Sequence, residues 1–194
     1  MKNTIKYLIL LIIYLVCGVN LQAQNYTFRN VVMSDGLSGL LVNAIYKDSE
    51  GFVWLGTDNC LDRFDGVKVR HYEFRGVDSG RKKRVNCITE TADNQLWVGN
   101  GIGLWRLNRA NGQLERIVPE KIDFAVNTLL PDGDILYIGT EKGLFIQKDG
   151  QLLQVLTDRN MLAACNRIMD LCLNEDKSAL WLATVQGLFS YSLK

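Results

Sequence analysis

One pattern recurs four times in this 194-residue chain, and a repeat of about 40 residues constrains the fold more than any single motif does. Each copy opens on an Asn followed by a short, largely apolar segment, then a turn rich in Asp, Asn or Gly. A central aromatic comes next inside an apolar run, with a small residue two places on and a Leu-led segment after that. The leading Asn is Asn43, Asn86, Asn127 and Asn166, at spacings of 43, 41 and 39 residues. The aromatic is Trp54, Trp97, Tyr137 and Trp181, at spacings of 43, 40 and 44. The small residue is Gly56, Gly99, Gly139 and Ala183. Several fixed positions in each of four copies mark one supersecondary unit used four times.

Within a unit the residues pattern as strands. The turns Asp48–Gly51, Asp93-Asn94, Asp132-Gly133 and Asn174–Ser178 carry side chains that bond their own backbone or tolerate positive φ. The apolar run around the aromatic ends at the small residue, where close packing excludes a larger side chain. A Gly-Leu step then starts another strand at Gly103, Gly143 and Gly187, with Cys60 in place of Gly in the first unit. Asp65-Gly66, Asn111-Gly112 and Asp149-Gly150 follow as hairpin turns. Four strands in about 40 residues is the arithmetic of a propeller blade. The expected fold is therefore all-β, with propeller-type blades of four antiparallel strands: about four blades, over 42–74, 85–118, 126–156 and 165–194. No segment after residue 23 sustains an amphipathic helical period. Tyr26–Met33 reads as an extra strand ahead of the first blade.

The first 23 residues are different. Lys2 and Lys6 flank an apolar run from Tyr7 to Val19, and Leu21-Gln22-Ala23 ends in the small residue of a cleavage site. This is the layout of a signal peptide, with cleavage expected after Ala23; the apolar run is short of the roughly 20 residues a membrane span needs. Cys17 lacks the small preceding residue of a lipidated cysteine. Removing residues 1–23 takes away Lys2 and Lys6 and no acid, which turns a formal net charge of +1 into −1. A near-neutral surface argues against nucleic acid, which selects clustered positive charge. The cluster Arg81-Lys82-Lys83-Arg84 lies between two repeats and reads as a solvated loop. Export implies an oxidising compartment, yet Cys87 and Cys172 fall inside apolar strand patterns. We read Cys60, Cys87, Cys165 and Cys172 as free thiols, with Cys87 and Cys172 buried like small hydrophobes, rather than as a disulfide framework.

The stretch Asp35-Gly36-Leu37-Ser38, then Asp48, Gly51, Phe52, Trp54, Leu55, Gly56 and Thr57, then Leu61-Asp62-Arg63-Phe64-Asp65-Gly66, resembles the two-component regulator propeller repeat. That repeat builds the periplasmic sensor of hybrid two-component systems in Bacteroides-type bacteria. The resemblance spans roughly residues 26–194 and is specific for the repeat, not for a ligand. It implies a periplasmic, non-catalytic module that senses glycan breakdown products, with an oligosaccharide as ligand. Full-length members are histidine kinases with more blades, a membrane helix and a DNA-binding regulator, so the chain reads as the N-terminal part of such a sensor. Because the family's rings are larger, four blades would form an open arc whose apolar ends call for the missing blades or a homodimer partner. Membrane attachment would come only through the absent C-terminal part. The alternatives are an exported scaffold or protein-interaction propeller and, behind it, a propeller carbohydrate-active enzyme.

No residue announces a catalytic centre. Trp54, Trp97, Tyr137 and Trp181 could stack on sugars, but a residue kept in every unit reads better as blade-to-blade packing; Trp105, matched by Phe145 and Phe189, reads the same way. His71, the one histidine, falls on an outer strand with no Ser, Cys or Asp set beside it by any motif. Paired metal ligands are lacking, so no metal site is expected, and no cofactor. Gly99-Asn100-Gly101-Ile102-Gly103 leads into a strand and is no phosphate loop. Ligand-binding residues stay unassigned, with loops at one end of the ring as the general expectation.

Overall fold

The computed structural model describes residues 3–8, 27–77, 83–117, 122–155 and 167–193. The chain divides into two units, 1–30 and 31–194. In the first, residues 3–8 are helical; among the described residues no helix is long and apolar enough to cross a membrane. The expected cleavage point after Ala23 lies outside the described residues.

Among the described residues, the second unit has fifteen strands in four antiparallel sheets. Blade 1 is β1 (Val42–Lys47), β2 (Val53–Thr57), β3 (Leu61–Phe64) and β4 (Val69–Tyr72). Blade 2 is β5 (Val85–Glu90), β6 (Leu96–Asn100), β7 (Gly103–Asn108) and β8 (Gln113–Ile117). Blade 3 is β9 (Val126–Asp132), β10 (Ile135–Thr140), β11 (Gly143–Lys148) and β12 (Gln151–Gln154). Blade 4 is β13 (Ile168–Leu173), β14 (Ala179–Thr184) and β15 (Gly187–Ser192). Strands pair in chain order, so each blade is a meander. The all-β propeller-blade expectation holds; among the described residues blade 4 shows three of its strands.

The hairpins follow the turn residues. Asp149 and Gly150 both take positive φ, 50° and 73°, which gives the β11–β12 turn the twist that antiparallel strands need. After the central aromatic run of blades 1, 3 and 4 a Thr hydroxyl clasps the next turn: Thr57 Oγ1 donates to Cys60 O at 3.0 Å, Thr140 Oγ1 to Gly143 O at 2.7 Å and Thr184 Oγ1 to Gly187 O at 2.9 Å.

Blades stack through faces set by the two-residue period of a strand. On β6, Leu96 and Val98 pack with Trp54, Leu61 and Tyr72 of blade 1. Trp97, pointing the other way, packs with Val126, Leu136 and Ile138 of blade 3. Tyr137 in turn meets Ile168, Leu180 and Leu182 of blade 4. The innermost strands pack in succession, β1 on β5, β5 on β9 and β9 on β13. No apolar cluster of described residues joins blade 4 to blade 1. The blades thus form an open arc.

Both ends of the arc expose the faces that are covered elsewhere. Trp54 is 1% exposed, whereas Trp181, its counterpart, is 40% exposed. This corrects the packing role expected of Trp181: no described residue covers its face. Leu188 is exposed beside it, and at the other end Ile45 is 72% exposed where its counterpart Ile88 is buried. Two further expectations change. The described part of Tyr26–Met33 is irregular as far as Val32, and Met33–Asp35 form one 3-10 turn; an extended segment becomes a strand only with a partner to bond. The fourth copy is also out of step with its leading Asn: the register places Met169, next to Asp170, where Asn43, Asn86 and Asn127 stand in the other blades. Asn166 lies outside the described residues.

Candidate functional site

The second residue of each inner strand borders a common space. There Asn43, Asn86, Asn127 and Met169 line a cleft of about 790 Å³. Residues just ahead of the inner strands close one end of it: Arg84 before β5, Asp123 and Phe124 before β9, and Arg167 before β13. The β6–β7 and β10–β11 turns contribute Ile102 and Glu141. All these lead-ins and turns lie at the same end of the strands, so the meander itself brings polar loops from successive blades together.

The cleft mixes fixed amides, charges and one aromatic. Asn86 and Asn127 are held by bonds from their side-chain nitrogens to Val126 O (2.9 Å) and Ile168 O (2.7 Å) in the following blade. The side-chain nitrogen of Asn43 is buried with no partner. Arg167 stands 3.9 Å from Glu141. The Phe124 ring carries the Lys142 ammonium 4.5 Å from its centroid and packs against Phe145. Such a surface offers donors, acceptors and a stacking face to a hydroxyl-rich ligand.

A second polar group sits at the outer side of blade 1. His71 does lie on an outer strand with an exposed ring, as the sequence suggests, but it is not isolated. The β3–β4 register sets it opposite Asp62, and His71 Nδ1 lies 2.7 Å from Asp62 Oδ1. Cys60 Sγ donates to the same oxygen at 3.2 Å. Asp62 is fully buried; its other oxygen accepts from Ser38 N and Ser38 Oγ, each at 2.8 Å. Burial pushes the Cys60 thiol up to about 12, with the Asp62 charge adding to it and a Ser38 hydrogen bond opposing it.

The other candidates are placed as follows. Cys60, Cys87 and Cys172 are free thiols. The Cys87 thiol is pushed up to about 12 by burial. Cys172 is exposed, contrary to the apolar strand reading, because it lies opposite Trp181 on the uncovered end face. Cys165 lies outside the described residues. Of the basic cluster, Arg81 and Lys82 also lie outside them, while Arg84 lines the cleft. Trp105 is buried, with its indole nitrogen donating to Asn100 Oδ1 at 3.2 Å. Sequence reasoning missed the cleft because its lining comes from three separate lead-ins that no local motif unites; the recurring Asn was the one signal pointing to it.

Residues 36–59 match the two-component regulator propeller repeat. A 79-residue stretch is 32% identical to a histidine kinase, P4, of Formosa agariphila, covering 41% of this chain and 6% of that protein. Two solved structures from B. thetaiotaomicron have the same blades. One is the extracellular domain of a putative hybrid two-component system, 22% identical with a TM-score of 0.71, covering 85% of this chain and 25% of that one. The other is also such a domain, 27% identical with a TM-score of 0.64, covering 79% and 21%. The chain spans a quarter or less of each of these relatives.

Proposed function

From a chain that carries the two-component regulator propeller repeat, we propose that these blades are the periplasmic ligand-sensing part of a two-component system and that glycan breakdown products bind in the axial cleft. The observation that carries this reading is the cleft itself, where Asn43, Asn86, Asn127, Arg84 and Phe124 from successive blades converge. Amides held by backbone bonds present donors and acceptors at fixed spacing, which suits the hydroxyl pattern of a saccharide. The reading is non-catalytic: the cleft orients a ligand and passes its presence on through the packing of the blades. Export through a leader cleaved after Ala23 belongs to the same proposal.

The uncovered end faces support a second element. Trp181 and Leu188 reproduce, position for position, the face that Trp97 and Leu104 present to blade 3. We read them as the seat of further blades or of a partner copy, and an exported scaffold remains the alternative built on the same faces.

Calorimetric titration with a panel of oligosaccharide fragments tests the sensing role. Saturable binding by one glycan class, weakened at least about tenfold by Arg84→Ala or Asn127→Ala with no product formed, supports it. Binding that both substitutions leave unchanged would remove the cleft from the proposal. A panel with no binder, alongside tight association with a protein partner, would favour the scaffold.

A further inference from the structure

We propose that Cys60, Asp62 and His71 form a binding site for a divalent transition-metal ion of the zinc type, on the outer strands of blade 1. One donor atom from each lies within 4.8 Å of the other two. Cys60 and Asp62 are two residues apart at the start of β3, and His71 faces Asp62 from β4. A thiolate, a carboxylate and an imidazole are the donor types that zinc selects, and three protein ligands with one open position is a common zinc arrangement.

Two of these residues break the repeat. Overlaying the blades by strand register, Cys60 stands where Gly103, Gly143 and Gly187 stand in the other three. Asp62 stands where Trp105, Phe145 and Phe189 stand, and His71 matches Arg116 and Gln154. The positions that elsewhere hold glycine and a ring thus carry metal-ligating groups in one blade only, and there all three converge.

Geometry and surroundings fit an ion. Donors around one tetrahedral zinc stand about 3.2–3.8 Å apart, so the present 2.7 Å and 3.2 Å contacts open by a few tenths of an ångström to about half an ångström. The ion replaces those hydrogen bonds: Cys60 binds as thiolate and gives its proton to solvent, and His71 binds through Nδ1 with its ring proton on Nε2. Ser38 already orients the carboxylate through its second oxygen, the kind of outer support ligating carboxylates carry. A cavity of about 360 Å³ beside the site, lined by Ser38, Asn59, Cys60, His71, Glu73 and Lys83 among others, gives the ion a path in. Among the described residues, Lys83 is the one lysine or arginine on that lining and Glu73 the one carboxylate.

The test uses purified protein stripped with a chelator, then titrated with Zn²⁺ against a chromophoric competitor and, separately, with Co²⁺. One equivalent should bind, and the Co²⁺ form should show a thiolate-to-metal charge-transfer band. Cys60→Ser should abolish that band, and His71→Gln, a change at an exposed ring that leaves the circular dichroism of the blades intact, should weaken zinc at least about tenfold. Cys172→Ser should leave both readouts unchanged. Zinc bound equally well by the His71→Gln protein, or no zinc bound above the level of that variant, would overturn the site; a charge-transfer band that survives Cys60→Ser would do the same.

Discussion

The side-chain nitrogen of Asn86 donates to the backbone carbonyl of Val126 at 2.9 Å, tying the head of one inner strand to the head of the next. Asn127 repeats the tie to Ile168 at 2.7 Å. Each bond uses a backbone oxygen at the point where β5 or β9 meets its neighbour, so the repeated Asn serves the join between blades as well as the cleft. Asn86→Ala and Asn127→Ala should each lower unfolding stability by about 1 kcal/mol, the usual net worth of such a bond. Asn43→Ala removes an amide nitrogen that has no partner and should cost less than either. Urea denaturation of the three variants checks the order.

The repeated glycine answers a different need. A Cβ on Gly99 would stand 2.5 Å from Cys87 Sγ and 2.6 Å from Val126 Cγ1, and one on Gly56 would stand 2.5 Å from Val85 Cγ1. The following blade therefore lies directly on the glycine. Gly99→Ala should cost about 1–3 kcal/mol through overpacking. Ala183 occupies the same register position on the uncovered face, where no described blade presses on it. Ala183→Val should stay within about 0.5 kcal/mol of the parent, and thermal melts of the pair separate the two cases.

Much of this was legible in the residues, and the gaps have physical causes. The spacing of Trp54, Trp97 and Tyr137 gave the blades, because a strand's two-residue period puts the recurring aromatic on one face and the next blade must cover it. The same logic could not tell that Trp181 is left uncovered, since a local pattern says which face is apolar and not what lies against it. Cys60, Asp62 and His71 come together only through the β3–β4 register, which pairs residues nine apart in sequence. Overlaying the four units would have flagged Cys60 and Asp62 as departures, but not their convergence on His71. Arg84, Asp123 and Arg167 sit in connections of no fixed pattern; only the stacking of successive blades makes them neighbours.

The contrast between Trp54 and Trp181 predicts opposite consequences for the same kind of change. Trp54 is enclosed by blade 2, its indole nitrogen donating to Asp48 Oδ2 at 2.7 Å and its ring packed 5.1 Å from Tyr72. Trp54→Ala should cost about 3–5 kcal/mol. Trp181→Ser should leave stability nearly unchanged while reducing both binding of a dye for apolar surface and self-association, measured by sedimentation. Equal destabilisation by the two substitutions would mean that the end face is covered in solution.

Thiol reactivity should follow the same division. Cys172 lies on the exposed end face, whereas the Cys87 sulfur sits over the Gly99 backbone with its thiol pushed up to about 12. The thiolate is the reactive form, so at pH 8 a maleimide should modify Cys172 within minutes and leave Cys87 untouched until the protein is unfolded. Peptide mapping after timed quenching reads both sites in one sample.

Arg109 offers the sharpest electrostatic test. It projects from the β7–β8 turn of blade 2 into the turns of blade 1, with Nη2 2.9 Å from Glu90 and 3.7 Å from Asp48, and Nη1 3.1 Å from Glu50. Its Nε also donates to Asn94 O at 3.0 Å. The Asp48 carboxylate is fully buried and already accepts from Phe52 N and the Trp54 indole, so its position is fixed by bonds that do not neutralise it. Arg109→Met keeps most of the apolar stem but leaves Asp48 and Glu90 as a buried pair of like charges. Breaking a buried pair from one side costs about 3–5 kcal/mol, and the partial exposure of Arg109 places the expected loss near the lower end. Glu50→Gln, which removes only the exposed partner, should cost less than about 1 kcal/mol. Raising salt should erode the Glu50 contribution and leave most of the Arg109 effect in place, because exposed pairs are screened and buried ones are not. Chemical denaturation in urea at two ionic strengths distinguishes this from a purely surface role, in which both losses would be small and both would vanish in salt.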